Sequence, residues 1–502
     1  MRVVKRFLLI FLTIVLIFIL LELLAKIASH TVFKDKINPD ILRTEFEEIY
    51  VPPFAPKTPD EFRIFVYGGS TVKGLPLPKV GFVSQLEYQL NHVFEGKNIK
   101  VFNFGWAGFN SSRIRYIFER TVSQKPDLII IYTGENEFIY PQLDSYTLVK
   151  TTTALKNRSD LAKLIMFVVE RTDSSQADQL QSRHQKFPAY SVNKILTWGK
   201  IRIFKTNINE IIKEAKVRKV PVILGIPAHN IKDWPPVKRA LTTLDTPNAY
   251  QENLHKAIHL IDENRLLEAN NLIDSSLAKY PDDASFLYLK ATIVAKNGQN
   301  ARQLFEKAKD ADPIPWRTTT SYANYLSSLE DNKNVWVMDF AQIFAQNSPE
   351  GLTGFNLILD GTHPTKEGAY LISSNIVDFI KKEKLIATEW LTESNNSYSM
   401  TDLFKKMDIF QEDDFFVYQS TANLALKMPL FNIDAAKFYI DKAESLNDNN
   451  WEAKALKASI ANLEGINKLA VAYLKEAEEL KGSIIKIEES KYIPYLYEIL
   501  AN

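Results

Sequence analysis

Ser70 follows the apolar stretch Arg63 to Tyr67 and two glycines, Gly68 and Gly69, with Gly74 close behind. A serine hydroxyl is a weak nucleophile until a neighbouring base takes its proton. His363 is the candidate base. It lies in Leu359-Asp360-Gly361-Thr362-His363-Pro364, and it alone among the 7 histidines has an aspartate three residues earlier in a loop bounded by glycine and proline. A carboxylate placed there can hold the imidazole in the tautomer that accepts a proton. The chemistry is then attack of a serine oxygen on a carbonyl, and the resulting oxyanion needs donors. Two loops offer them: Gly105 to Asn110 and Thr133 to Glu137. The N–H groups of Gly108 and Ser70 and the side-chain amide of Asn136 make three donors without adding a charge. Taken singly, each signal has a plainer reading. Gly-Ser, Asp-Gly and His-Pro are common turns, and asparagine often caps a helix.

The elements around these residues raise their joint weight. Arg63 to Tyr67, Lys100 to Phe104, Leu128 to Thr133, Val220 to Gly225 and Val335 to Asp339 read as buried strands, rich in branched and aromatic side chains. Amphipathic segments Phe82 to Phe94, Ile114 to Val122 and Ile208 to Val217 separate them. Alternation of this kind predicts a parallel sheet covered on both faces. Loops after neighbouring parallel strands meet at one edge, so Ser70, Gly108 and Asn136 are expected to converge. The nucleophile elbow Gly-x-Ser-x-Gly is absent, because Val72 stands at its last place.

With 61 basic and 60 acidic residues, the sequence has no basic block suited to a phosphate backbone, so nucleic acid is not an expected partner. The absence of cysteine excludes disulfides, thiolate metal sites and a cysteine nucleophile. His255 and His259 lie four apart on a predicted helix but lack a third ligand nearby, so no metal site is read there. Arg2, Lys5 and Arg6 precede an apolar run from Phe7 to Leu21, broken by Glu22 and resumed at Leu23. The run nearly spans a bilayer, and the basic flank predicts one crossing with the remaining chain outside. The rival reading, a cleaved signal peptide, also exports the chain, but no Ala-x-Ala site follows the run.

Between the fourth and fifth strands the chain is too long for one crossover. A quartet recurs there: Ala269, Ile273, Ser276 and Pro281 are spaced like Ala301, Phe305, Ala308 and Pro313. Near the C-terminus, Ala436, Ile440, Ala443 and Asp448 match Ala470, Leu474, Ala477 and Gly482 at a 34-residue offset. The period and pattern resemble tetratricopeptide repeats, while ordinary helical hairpins are the plainer alternative. The polar stretch Ser145 to Ser191, interrupted by Leu161 to Val169, reads equally as a lid or a surface insertion.

Gly-Gly-Ser-Thr at 68–71, the Gly108 block, Gly134-Glu135-Asn136-Glu137 and Asp360 to His363 resemble, in order, the four signature blocks of the SGNH/GDSL hydrolases. The likeness covers roughly residues 60–240 and 316–385. Phe62 to Ser70 and Ala228 to Pro236 resemble more closely the bacterial membrane-anchored members with a tetratricopeptide-like insertion. The resemblance implies a three-layer α/β/α flavodoxin-like domain with inserted and C-terminal α-helical repeats. It assigns Ser70 as nucleophile, His363 as general base, Asp360 as its orienting partner, and Ser70, Gly108 and Asn136 as the oxyanion hole, with no cofactor. Glu135 stands where relatives often carry histidine and is expected to point away from the site.

The expected organisation is an anchor at 1–30, a linker at 31–60 that includes the proline-rich Tyr50 to Pro59, hydrolase halves at 61–244 and 316–385, a helical insertion at 245–315 and a helical region at 386–502. The implied protein is an inner-membrane, extracytoplasmic serine esterase acting on an acyl ester, with an O-acetylated envelope glycan as first candidate. An O-acyltransferase using the same residues and a non-catalytic scaffold are the alternatives. The repeats are expected to hold a protein partner and to take no part in turning over a small ester.

Overall fold

Strands at 61–68, 98–105, 128–132, 222–226 and 335–339, here β1 to β5, pair in parallel in the order β2-β1-β3-β4-β5. The structure is a computed structural model that describes residues 2–31, 49, 51, 53–94, 98–138, 145–156, 158–165, 194–236, 248–386, 398–427, 431–486 and 493–500. It divides into two units: residues 1–53 with 144–188, and residues 54–143 with 189–502.

In the larger unit, strand alternation sends Ile64, Val66, Ile130 and Ile223 to one face, where they pack with helices Phe82–Val93 and Lys366–Lys382. Tyr67 points to the other face, where its hydroxyl meets Thr121 at 2.7 Å on helix Ser111–Thr121. Helix Lys194–Val217 lies beside that helix and buries Phe204, Ile208 and Ile211. The result is the three-layer α/β/α arrangement with flavodoxin-like strand order. Register brings the carboxyl ends level, pairing Gly68 with Gly105 on one side and with Tyr132 on the other, and Tyr132 with Gly225. Strand order reverses between β1 and β3, which opens a crevice there for a ligand. The opposite edge holds charge. The buried Arg63 guanidinium pairs with Glu61 at 2.9 Å and donates to Ala55 O and Gln124 O.

The segment read as a linker is part of this unit at its end. Phe54 packs its ring 5.1 to 6.0 Å from Phe65, Phe102 and Phe104, sealing apolar surface at the edge of the sheet.

Helices Asn248–Asp262, Leu266–Lys279, Ala284–Lys296 and Arg302–Asp310 occupy the insertion, and among the described residues five helices from Gln411 to Leu500 follow the last helix of the α/β domain and a short one, Met400–Lys406. The small members of the quartets sit at helix contacts: Ala269, Ala308, Ala436, Ala443 and Ala477 are fully buried. Alanine there lets two helices approach closely. The C-terminal helices share a core with Val80, Trp234 and Leu359 of the α/β domain. Lys79 bonds Asp413 at 2.8 Å and Lys366 bonds Asp414 at 2.6 Å across the same seam.

The smaller unit contains helix Arg2–Thr31, whose window Phe11–Ala28 has a mean hydropathy of 2.6 and is long and apolar enough to cross a membrane. Glu22 accepts hydrogen bonds from Ser159 Oγ at 2.7 Å and from the N–H groups of Asp160 and Leu161. Its carboxyl therefore caps the start of the helical segment that begins at residue 160. Of the stretch 145–191, only 145–156 and 158–165 are described, and the rest lies outside the described residues.

Candidate active site

Ser70 opens the short helix Ser70–Lys73 directly beyond β1. Two glycines precede it for a steric reason. A Cβ on Gly68 would lie 2.4 Å from Tyr132 O, and one on Gly69 would lie 2.4 Å from Asn136 Nδ2. Backbone and amide approach too closely there for any side chain. Gly74 ends the helix at φ +87°, a left-handed conformation that suits glycine.

The partner loop is equally constrained. Leu359 N–H donates to His363 O at 2.7 Å, and Thr365 N–H donates to Leu357 O at 2.9 Å, closing a tight turn ahead of helix Lys366–Lys382. Within it, Asp360 Oδ1 accepts from Thr362 N–H at 2.7 Å and His363 N–H at 2.9 Å. Its other oxygen, Oδ2, lies 2.6 Å from His363 Nδ1. His363 Nε2 lies 2.7 Å from Ser70 Oγ. The three side chains, from residues 70 and 360–363, thus form one continuous hydrogen-bonded chain.

Their electrostatics fit that chain. Burial pulls the His363 pKa down, but the charge and hydrogen bond of Asp360 more than offset it, so the imidazole titrates above its ordinary 6.5. Burial pushes Asp360 up, and His363 with two backbone N–H donors outweighs this, leaving the carboxyl below its ordinary 3.8. Asp360 stays ionised at neutral pH and can balance a positive charge on the imidazole.

Asn136 and Gly108 meet through the loops after β3 and β2. Gly108 sits at φ +73° in a turn closed by Phe109 N–H to Trp106 O, and Phe109 O accepts one Asn136 amide hydrogen at 3.1 Å. That bond leaves the second N–H of the same nitrogen beside Gly69.

Glu135 departs from expectation. It is buried at 4% exposure, and Thr71 Oγ1 donates to its carboxylate at 3.1 to 3.2 Å. It does not point away: Thr71 neighbours the nucleophile, and the carboxyl interacts electrostatically with His363 and Asp360. Burial pushes its pKa up to about 8, opposed in part by His363 and the Thr71 bond. Below that pH the buried carboxyl keeps its proton and adds no charge to the site. Glu137, next but one, serves the scaffold instead. It accepts from Ser111 N–H at 2.7 Å and Ser111 Oγ at 2.9 Å, fixing the start of helix Ser111–Thr121.

Sequence reasoning overlooked the brace behind the histidine loop. Arg317 donates from Nη1 to Asn230 O at 3.0 Å and Trp234 O at 2.7 Å, and pairs with buried Asp312 at 3.3 Å. Asn230 N–H in turn donates to Gly361 O at 3.1 Å. The segment Ala228 to Pro236 carried part of the family likeness, but nothing in the sequence linked Arg317 to it.

A cleft of about 440 Å³ opens beside His363, and one of its walls belongs to the C-terminal helices, including Phe416, Gln419 and Ser420. Those helices therefore lie against the loop that carries Asp360 and His363. The nominated residues do lie outside them, yet Leu359 is embedded in their core. His259 is an exposed partner of Glu263 at 3.2 Å, on the surface of the insertion.

No family model and no curated protein matches the chain. Among solved structures, it is similar to an acetylxylan esterase from Geobacillus stearothermophilus at 12% identity and a TM-score of 0.30, covering 66% of this chain and 97% of that one. A GDSL-like lipase from Bacteroides thetaiotaomicron matches at 14% identity and a TM-score of 0.29, covering 66% and 92%. A member of the lipolytic G-D-S-L family from Veillonella parvula matches at 12% identity and a TM-score of 0.27, covering 64% and 99%.

Proposed function

We propose that the chain is a serine esterase of SGNH type, held at the membrane by its N-terminal helix, with Ser70 as nucleophile, His363 as proton carrier and Asp360 as orienting carboxylate. One observation carries the reading: the unbroken hydrogen-bonded chain from Ser70 Oγ through His363 to Asp360, at 2.7 and 2.6 Å. His363 Nε2 takes the Ser70 proton as Oγ attacks the ester carbonyl. The tetrahedral oxyanion is received by the N–H groups of Ser70 and Gly108 and the remaining Asn136 N–H. Imidazolium returns the proton to the leaving alcohol, the carbon–oxygen bond breaks, and an acyl-Ser70 remains. Water, deprotonated by the same nitrogen, releases the acid and restores the serine.

Arg2, Lys5 and Arg6, in the first turns of the helix and ahead of its apolar window, support a cytoplasmic N-terminus and an exported catalytic domain. The substrate is then an ester outside the cytoplasm, an O-acetylated envelope glycan in the first instance. The paired helices are read as tetratricopeptide-like repeats.

The test is labelling of the detergent-solubilised full chain with a fluorophosphonate, alongside hydrolysis of p-nitrophenyl acetate. Wild type labels and turns over; Ser70→Ala does neither, and His363→Ala loses at least on the order of a hundredfold. Labelling that survives in Ser70→Ala would assign the nucleophile elsewhere.

A further inference from the structure

We infer that the C-terminal helices form a saccharide subsite: the wall they contribute to the cleft beside His363 recognises the sugar of an O-acylated glycan. This rests on the esterase reading of the same site and adds where the sugar is held and the residues that choose it.

The cleft lies between the catalytic loops and the C-terminal region. Pro76, Asp360 and His363 line one side, and Phe416, Gln419, Ser420, Leu424 and Glu452 line the other. Its volume of about 440 Å³ falls within the range of roughly 300–1,000 Å³ common for small-molecule sites. The wall is preformed, because Leu359 of the histidine loop is buried in the C-terminal core and the Lys79–Asp413 and Lys366–Asp414 pairs clamp the seam.

Its chemistry selects among esters. A long acyl chain needs a continuous apolar lining, since covering amide and hydroxyl groups with hydrocarbon leaves them without partners. Here Gln419, Ser420 and Glu452 interrupt the apolar surface, and Gln419 Nε2 steadies the Glu452 carboxylate at 3.1 Å. An anionic ligand meets Asp360 and Glu452 against one lining cation, Lys427. Together with the apolar Leu359, Leu456 and Ile493 beside them, these groups suit a neutral ligand with both hydroxyls and an apolar face. Its hydroxyls can donate to Glu452 and exchange bonds with Gln419 and Ser420, while its less polar ring face lies against Phe416 and Leu424.

The full chain carrying Ser70→Ala, titrated calorimetrically with 6-O-acetylcellobiose, separates binding from turnover. Binding is expected at millimolar concentration or below. Adding Ser420→Trp, which fills the cleft, should weaken it at least tenfold, and the milder Gln419→Ala severalfold. On the Ser70 background, Ser420→Trp should lower the kcat/KM ratio of 6-O-acetylcellobiose to p-nitrophenyl acetate by at least tenfold. Circular dichroism of each variant checks folding, and Gln419→Ala serves if the tryptophan is not tolerated. The inference is overturned if the disaccharide does not bind, if neither variant changes its binding, or if p-nitrophenyl octanoate is the substrate selectively lost. A wild-type chain that binds the disaccharide at this wall yet neither labels nor hydrolyses overturns the esterase reading instead.

Discussion

Replacing Glu135 by glutamine should remove a pH-dependent burden on the fold. A carboxyl whose ordinary pKa is 4.5, and which burial holds at about 8, keeps its proton in the folded state while the unfolded chain has already lost it. Between those values the native state binds more protons than the unfolded one, so stability falls as pH rises. Tenfold in proton affinity is worth about 1.4 kcal/mol, so the full gap amounts to about 5 kcal/mol as an upper bound. Glutamine has nearly the same shape, can still accept from Thr71 Oγ1, and does not titrate. Near pH 4.5 the two chains should differ little; the advantage of Glu135→Gln should then grow up to pH 8 and level off. Asp360 and His363 titrate in both chains, so their contributions largely cancel in the difference. Thermal unfolding of both chains from pH 5 to 9 measures it. Activity gives a second reading. Above pH 8 the ionised Glu135 raises the His363 pKa and opposes the oxyanion, so wild-type kcat/KM should fall with a midpoint near 8, a limb that Glu135→Gln lacks. A stability difference that stays constant with pH, together with the same basic limb in both chains, would refute the buried neutral acid.

Asn136→Ala should reduce kcat by about 10²- to 10³-fold, roughly 3 kcal/mol, through loss of one oxyanion donor, while the lost bond to Phe109 O costs stability about 1–3 kcal/mol without preventing folding; stopped-flow turnover of p-nitrophenyl acetate reads the first. Arg317→Met removes the guanidinium that pairs with buried Asp312 and bonds the Asn230 and Trp234 carbonyls behind the histidine loop, so it should cost roughly 3–5 kcal/mol in a denaturant titration and lower turnover as well. Wild-type activity should also fall on the acid side through a group titrating above 6.5, since His363 must be neutral to accept the serine proton, and a pH–rate profile locates that limb. Protease added to intact spheroplasts should digest the bulk of the chain. Protection until lysis contradicts the proposed topology.

The β strands and the loops that follow them were legible in the sequence because local patterning determines both. Runs such as Ile129 to Tyr132 have no polar face, and parallel pairing necessarily brings the loops after β1, β2 and β3 to one edge. Asp360 and His363 were legible for the same reason, since their contact spans three residues of one turn. The orientation of Glu135 was not. Inward or outward depends on whether Thr71, 64 positions away, closes over the carboxyl, and neither residue's own neighbours encode that. Nor could spacing show that Arg317 braces Asn230, or that Phe416 and Gln419 face His363 across a cleft. These contacts arise only when separate stretches of chain pack, and the choice among packings is made by the shared core of Leu359, Trp234 and the C-terminal helices. Sequence periodicity specifies which face of an element is buried; what that face is buried against is decided by the tertiary structure alone.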